Sequence, residues 1–387
     1  MSPMSVVAGR DFSLRRQTAT RPADVTIRTF LEHDIPAVAA LFARAYPHYA
    51  WASQAACESY FREMFFDNPW RDPDLPSRVA EEGGRISGFY GVIPRRMRLH
   101  GRQIRVAVTG QFMVDPDRRH SFTAVQLCKA CLAGPQDLTL ADGASEQSRR
   151  LWLAIGGSAA LLYSLQWTRP VRPARHLLSY VEQRKPAARW LLLPTRPVAT
   201  AIDGVASRLR PNRFSLDDAA VKEAVLDPAT MAANLPEVLH GVMLQPVYDV
   251  ESLVWLLEQA RRKVRHGTLR AHAVFNHDQL IGWYLYYAKR GDVGEVVQLA
   301  ATAGAFDVVL QRLLADAWGF GATAVRGRID PRYLDELSNR HCWFGREGTW
   351  TLFHSRHPDV VAAIQQGEAF LSRLEGEWWL RWTDAVQ

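Results

Sequence analysis

Residues 102–132 carry the sequence RQIRVAVTGQFMVDPDRRHSFTAVQLCKACL, which predicts a strand, a tight loop and a helix. From Ile104 to Val114, β-branched and other apolar residues recur at even positions, which is typical of a strand buried on both faces. The strand is predicted to end at Asp115-Pro116-Asp117, because proline cannot donate to a ladder and aspartate favours turns.

A basic loop joins this strand to the helix. Arg118, Arg119 and His120 precede helical spacing that runs from Phe122 to Gly134-Pro135. A helix that begins directly after such a loop directs its free N–H groups and the positive end of its dipole towards it. We therefore interpret this corner as an anion site that fits a phosphate. The alternative is a plain strand–helix corner with solvated arginines.

Length and composition limit the protein class. The chain has 387 residues, 48% of them apolar, which predicts one large or two ordinary domains. Its net charge of +7 fits an anionic ligand or nucleic acid. Four cysteines without a framework spacing favour a reduced compartment. No apolar run reaches about 18 residues and residues 1–23 lack an apolar signal core, so we expect a mobile tail, no membrane span and a cytoplasmic protein.

The remaining chain is predicted to hold two similar blocks. Residues 24–168 follow the order strand, two helices, three antiparallel strands, helix, strand, helix, strand, the last at 161–167. Residues 169–249 are rich in proline and predict a connector with helical patches. Residues 250–387 repeat the element order, and RISGFY at 85–90 matches QLIGWY at 279–284 in position. Trp378, Trp379 and Trp382 are expected to pack back on a domain.

The sequence VDPDRRHSFTA at 114–124 resembles a motif of the GNAT superfamily of acyl-CoA-dependent N-acyltransferases. In that family a strand ends in valine-x-proline, followed by Arg or Gln, two residues, Gly, one residue, and Gly or Ala. Arg119 matches the first of these positions and Ala124 the last, whereas Phe122 stands in place of the glycine. The resemblance implies an α/β (α+β) fold of two GNAT-like domains, each a mixed, mostly antiparallel twisted sheet flanked by helices. In the second, the loop ATAGA at 301–305 lacks the arginine, so we expect no coenzyme there.

The resemblance also implies a site for acetyl-CoA or another acyl-CoA as co-substrate. Backbone N–H groups on the central strand would hold the acyl carbonyl, and those of the loop would hold the phosphates. The implied cofactor-binding residues are Phe112, Met113, Val114, Arg119, His120, Ser121, Phe122, Thr123 and Ala124. The family's general-acid tyrosine is replaced by Trp152, and an indole cannot protonate a thiolate.

The candidates for the base are few. Gln111 lies on the predicted site strand and can orient a water, although it is not itself a base. Asp142 follows the next predicted strand and is a base candidate or a turn residue. Glu146 starts the following helix and is a base candidate or a partner of the helix dipole.

Two further patterns, a cysteine pair and a run of arginines, could carry a function. The pair Cys128 and Cys131 in mid-helix has no second ligand pair in the sequence, so we expect no metal site.

A basic run could bind the coenzyme 3′-phosphate, an acidic carrier protein or an anionic sugar nucleotide, or form a solvated edge. It lacks interleaved aromatic residues, so a nucleic-acid partner is not favoured. The run consists of Arg95, Arg96, Arg98, Arg102 and Arg105.

From these patterns we predict an acyl-CoA-dependent N-acyltransferase that moves an acetyl or other acyl group to the amine of a small acceptor. An amino sugar in envelope or exopolysaccharide synthesis is the acceptor class that tandem GNAT proteins imply. Two alternatives stay open: a Fem-type transferase that uses aminoacyl-tRNA, and a non-catalytic binding protein on a decayed GNAT fold. The sequence does not determine the acyl length or the oligomeric state.

Overall fold

A computed structural model describes residues 25–47, 51, 53–118, 122–184, 196–209, 221–346 and 348–377. Three of the predicted loop residues, Arg119, His120 and Ser121, lie outside this part of the chain. The expected N-terminal tail at 1–23 and the three tryptophans from Trp378 to Trp382 lie outside it as well.

Strands are labelled in chain order. They are β1 (Thr26–Thr29), β2 (Arg78–Glu82), β3 (Arg85–Leu99), β4 (Arg102–Val114), β5 (Leu138–Ala144), β6 (Ser158–Ala159), β7 (Gln166–Pro170), β8 (Val221–Val225), β9 (Leu244–Pro246), β10 (Thr268–Asn276), β11 (Gln279–Ala288), β12 (Val293–Ala301), β13 (Ala324–Arg328), β14 (Trp343–Gly345) and β15 (Trp350–His354).

The α-helices lie mostly between these strands. They are α1 (Ile35–Ala45), α2 (Gln54–Phe65), α3 (Thr123–Leu132), α4 (Glu146–Ala154), α5 (Leu161–Ser164), α6 (Pro173–Arg184), α7 (Arg196–Leu209), α8 (Pro228–Val238), α9 (Val250–Arg261), α10 (Phe306–Phe320), α11 (Leu334–Asn339) and α12 (Pro358–Gln365).

The strands form two mixed sheets. The first has the order β1-β2-β3-β4-β5-β15-β6, with β9 added beside β3, and the second has the order β14-β7-β13-β12-β11-β10-β8. Within the described strands, only β4 with β5 and β12 with β13 pair in parallel. The predicted fold class, two mostly antiparallel sheets flanked by helices, is therefore confirmed.

The two blocks exchange strands. The sequence predicts a strand at 161–167 for the first block, but residues 161–164 form α5, and β7 pairs with β13 in the second sheet. Conversely, β15 from the second block lies between β5 and β6 of the first sheet. A local sequence pattern predicts that a strand exists but not which strand it pairs with, because the hydrogen bonds of a β-ladder join residues far apart in sequence. The division of the chain at residues 168 and 249 stays a prediction.

The central strand β3 accommodates a proline without a break. Pro94 predicts an edge, a bulge or a break, yet β3 continues through it and pairs with Ala107 of β4. On the other side of β3, partner β2 reaches only Tyr90 and partner β9 begins only at Met97. Pro94 lies in the interval between them, which is a local edge where a residue without an N–H group is tolerated.

The repeated hexapeptides have a structural explanation in their glycines. A Cβ on Gly88 of β3 would lie 2.7 Å from Cδ1 of Leu127 on α3. A Cβ on Gly282 of β11 would lie 2.9 Å from Cγ2 of Val309 on α10, and would also overlap the carbonyl oxygen of Ala300. In each block the glycine lets the helix pack directly against the strand.

Candidate functional site

The first sheet opens between β4 and β5. The two strands pair in parallel only from Val106 with Leu138 to Val108 with Leu140. Among the described residues no further pairing joins them, so the ends of β4 and β5 diverge. The hydroxyl of Thr109 donates to the carbonyl oxygen of Leu140 at 3.3 Å at the point of divergence. The result is an opening at the centre of the sheet, beside the start of α3.

A bulge in β4 shapes this opening. Gly110 pairs with Gly91 and Met113 with Phe89, so two residues of β4 face one residue of β3. Gln111 at the bulge has φ +53°, a conformation uncommon outside glycine and often found at functional sites. Its side chain is buried, and Nε2 donates to the hydroxyl of Tyr60 on α2 at 2.7 Å.

The predicted carbonyl-holding residues follow the bulge. The Phe112 ring contacts the Tyr90 ring at 4.6 Å, and its carbonyl oxygen accepts from the Tyr46 hydroxyl at 3.0 Å. Met113 is buried in the core beneath α1 and α2, whereas Val114 packs on the α3 side. The structure therefore places this end of β4 between the two helical layers.

Helix α3 begins without a cap from its N-cap residue. That residue is Phe122, and its side chain makes no capping hydrogen bond. The Phe122 ring is 78% exposed, so it points into solvent and does not fill the corner. Thr123 is buried and Ala124 half-buried. The Phe122 ring therefore does not cover the first turn of α3.

Asp142 lies within β5 and is fully buried, so its interpretation as a turn residue is wrong. One carboxylate oxygen accepts from Nη2 of Arg328 at 2.8 Å, and the other accepts from the backbone N–H of Glu377 at 2.5 Å. Arg328 comes from β13 of the second sheet. Asp142 therefore joins the two sheets and the C-terminal segment at the opening.

Glu146 has a different environment. It lies in the first turn of α4 and accepts from Arg149 at 2.6 Å, Arg150 at 3.2 Å and the indole of Trp350 at 2.8 Å. These contacts, chiefly the hydrogen bond from Arg149, lower the pKa of Glu146 to about 2. A carboxylate with so low a pKa is a weak base, and the contacts match those of a first-turn partner.

Sequence reasoning missed the C-terminal segment (residues 370–377). A Cβ on Gly110 would lie 3.3 Å from Cγ of Glu377, so this buried glutamate covers β4 next to the bulge. Gly376 packs so closely on Asp142 that a Cβ there would overlap the carboxylate. The only signal in the sequence was the pair of glutamates in EGEWW at 375–379, directly before the tryptophans.

A buried polar network extends from this segment. Glu375 accepts from the hydroxyl of Tyr248, from Nε2 of Gln298 at 2.9 Å and from the backbone N–H of Ser372 at 2.6 Å. Burial raises the pKa of Glu375. Since Gln298 belongs to β12, the network ties the segment to the second sheet.

The predicted basic hairpin is divided between surface and core. Arg95 is buried with its guanidinium 4.0 Å from the Trp70 ring, and burial lowers its pKa to about 10. Arg105 lies at the surface, where Nη1 is 3.3 Å from the carboxylate of Asp74. These arginines therefore do not form a single solvated edge.

Trp152 is a packing residue of α4. Its Nε1 donates to the hydroxyl of Tyr90 at 3.2 Å, and that hydroxyl donates to Oγ1 of Thr109 at 3.3 Å. All three side chains are buried, and burial raises the pKa of Tyr90 well above its usual value. The chain of hydrogen bonds links α4 to β3 and to the point where β4 leaves β5.

The cysteine pair of α3 is buried beneath the same layer. Burial raises the pKa of Cys128, and it raises the pKa of Cys131 to about 12. Both thiols are therefore neutral near pH 7, which is unfavourable for nucleophilic or metal-binding chemistry. None of the described helices is long and apolar enough to cross a bilayer.

Comparisons with known proteins agree with this geometry. Residues 26–134, which include β4, the loop and α3, match the family model of an acetyltransferase (GNAT) domain. No protein of curated function matches the chain in sequence.

Three solved structures are similar in fold. They are a GCN5-related N-acetyltransferase from Anabaena variabilis (TM-score 0.57, 10% identity, 88% of this chain and 75% of that one), a probable N-acyltransferase from Enterococcus faecalis (0.57, 10%, 89% and 74%) and a GCN5-related N-acetyltransferase from Kribbella flavida (0.57, 13%, 88% and 74%).

Proposed function

We propose that this chain is an acyl-CoA-dependent N-acyltransferase of the GNAT superfamily, because residues 26–134 match the model of an acetyltransferase (GNAT) domain. The acceptor would be the amine of a small molecule, with an amino sugar as the favoured class. The observation that carries the proposal is the opening between β4 and β5, together with the start of α3, where the N-cap residue Phe122 makes no side-chain capping hydrogen bond. Catalysis would take place only at the opening in the first sheet.

The coenzyme would lie along β4 and across the start of α3. Backbone N–H groups from Arg119 to Ala124 would hold its phosphates, aided by the helix dipole. The exposed ring of Phe122 supports this placement, because the side chain that replaces the family glycine leaves the corner open. The bound acyl-CoA would supply an acyl group activated as a thioester.

The residues around the opening would supply the remaining chemistry. Acyl transfer requires a polarised carbonyl, removal of a proton from the amine and stabilisation of the departing thiolate. Backbone N–H groups near Phe112, Met113 and Val114 would hold the carbonyl oxygen. Gln111, fixed by Tyr60, would orient a water or the acceptor.

The carboxylates that support a base role are Asp142 and Glu377. Glu377 covers β4 beside the bulge. The Asp142 carboxylate accepts hydrogen bonds from the backbone N–H of Glu377 and from the guanidinium of Arg328. Of the two, we favour Glu377 as the proton acceptor and Asp142 as its positioning residue. The low pKa of Glu146 argues against the same role for that residue.

Calorimetry with acetyl-CoA and longer acyl-CoAs is the direct test. We expect binding by the full chain, loss of most affinity in Arg119→Ala, and unchanged or tighter binding in Phe122→Gly. Glu377→Gln should bind the coenzyme normally and lose activity by about 10²-fold or more, as expected for loss of a general base. The surface variant Glu146→Gln is the control and should keep both coenzyme affinity and activity. Absence of heat with every acyl-CoA, from folded protein, would reject the proposal.

One observation favours a non-catalytic protein as second candidate. The indole of Trp152 occupies the general-acid position and is buried in a hydrogen bond to Tyr90, so no proton donor comes from there. A binding protein on a decayed fold predicts that Phe122→Gly changes nothing measurable. Acyl transfer to any of a panel of amines would exclude this candidate.

A further inference from the structure

The helix α7 exposes a row of apolar side chains. Val198, Ile202 and Val205 are 60%, 55% and 54% exposed, and their spacing of four and three residues places them on one face of the helix. Exposed apolar residues are ordinary when single, but a row along a helix marks an interaction surface.

The neighbouring helix α6 repeats the pattern. Leu177 and Tyr180, three residues apart, are 62% and 46% exposed. We call the five side chains on the two helices the apolar face. It consists of Leu177, Tyr180, Val198, Ile202 and Val205.

The other side of α7 contacts α6. Asp203 is buried, and its carboxylate accepts from the backbone N–H groups of Ala174 at 2.9 Å and Arg175 at 3.1 Å in the first turn of α6. Ala199, one turn earlier on the same side of α7, is buried too. Because these residues fix which side of α7 faces inward, the row from Val198 to Val205 is held outward.

The charge of the protein is concentrated in the same segment. Residues 169–210 carry nine lysine and arginine residues against two acidic ones, an excess as large as the +7 of the whole chain. The rest of the chain is therefore balanced in charge. Apolar side chains combined with a local positive excess are the features by which amphipathic helices bind anionic lipid surfaces.

We propose that α6 and α7 dock on the surface of an anionic membrane. The apolar face would enter the headgroup region, while basic residues of the same segment of the chain would contact lipid phosphates. With 14 residues, α7 is too short to span a bilayer and would lie in its plane. Nucleic acid fits less well, because it offers no apolar surface to the row on α7. The proposal is independent of coenzyme binding.

Vesicle flotation of the full chain tests this directly. Vesicles of phosphatidylcholine with about 30 mol% phosphatidylglycerol are compared with phosphatidylcholine alone. We expect binding to the anionic vesicles only, which weakens steeply as salt rises. In the double variant Val198→Gln/Ile202→Gln the partition coefficient should fall about tenfold or more, because two apolar side chains are removed from the interface.

Two control variants remove equally exposed apolar side chains elsewhere. Val225→Gln on β8 and Val264→Gln before β10, at residues 74% and 62% exposed, should leave vesicle binding unchanged. Equal binding to neutral vesicles, no binding to either, or full binding by the double variant would overturn the proposal. A dimer in light scattering that only the double variant loses, without vesicle binding, would assign the face to a second copy instead.

Discussion

The two sheets contain similar openings that are lined by different side chains. In each, two parallel strands stay paired for three residue pairs and then diverge, β4 from β5 and β12 from β13. At the first, a bulge in β4 lies beside the divergence, and the N-cap residue of α3, Phe122, makes no side-chain capping hydrogen bond. The second has a bulge too, where Leu285 pairs with Gln298 and Tyr286 with Val296, and the N-cap residue of α10, Ala305, also makes no side-chain capping hydrogen bond.

Hydrogen-bonded and stacked side chains line the second opening. Gln298 accepts from the Trp283 indole at 2.8 Å and donates to Glu375 at 2.9 Å, and the Phe306 ring stacks on Tyr333 at 3.8 Å. A cavity of about 30 Å³ lies among the residues that line this opening. The two openings therefore share their backbone geometry and differ in the side chains that line them.

Each opening is also bridged by a buried ion pair. Arg328 pairs with Asp142 at the first opening, and Arg373 pairs with Glu295 at the second at 2.7 Å. Arg373 comes from the C-terminal segment, and Arg328 donates to that segment's carbonyl oxygens at Leu371 and Ser372. The segment thus connects both openings, which makes its contacts the most informative ones to change.

The largest effect is expected from Arg328→Met. The variant leaves Asp142 buried without its cation, which should lower the free energy of unfolding by about 3–5 kcal/mol. Urea denaturation measures the change. The double variant Asp142→Asn/Arg328→Met should recover much of the loss, since no charge is then stranded. A loss below about 1 kcal/mol in the single variant would mean that the pair does not hold the sheets together.

The repeated glycines give the next largest effect. Gly282→Ala should lower the free energy of unfolding by about 2–4 kcal/mol and Gly88→Ala by about 1–3, because the new Cβ overlaps a helix in both and a backbone carbonyl only at Gly282. Thermal and urea unfolding test the order. Gly319→Ala in α10, where a Cβ meets nothing within 4 Å, is the control and should be neutral or stabilising. The reverse order would contradict the packing assigned to the two blocks.

A smaller, pH-dependent effect is expected at His266 in the second block. Burial lowers its pKa to about 4 from an ordinary 6.5, so the folded state binds its proton less readily than the unfolded state. Its stabilising contribution is complete above pH 6.5 and is lost as pH falls towards 4, by roughly 2–3 kcal/mol. In His266→Gln, unfolding free energies measured across this range should vary less with pH. An unchanged pH slope would rule out this origin.

The smallest effect is expected at Glu146, which contacts the exchanged strand β15 through Trp350. Its folded pKa of about 2 lies below the ordinary 4.5, so its contribution is complete above pH 4.5 and disappears as pH falls to 2. Glu146→Gln should lower the melting temperature slightly at pH 7, with the difference vanishing near pH 2. A large difference at both pH values would point to a packing role instead.

Secondary structure could be predicted from the sequence where it depended on neighbouring residues. The strand and the helix within 102–132 and the repeated hexapeptides follow from spacing and turn residues, and the structure has these strands and this helix at those places. The Phe122 ring could not be placed from sequence, since nothing local decides whether a large side chain at a helix start turns inward or outward.

The sequence by itself determined most of the local elements and the family motif, because periodicity and turn chemistry act over a few residues. Only the tertiary structure decided that β7 and β15 change sheets, that Asp142 faces Arg328, and that Glu377 covers the bulge. These features join residues more than 150 positions apart. Their partners are selected by burial and pairing in the folded chain, for which no nearby residue carries a signal.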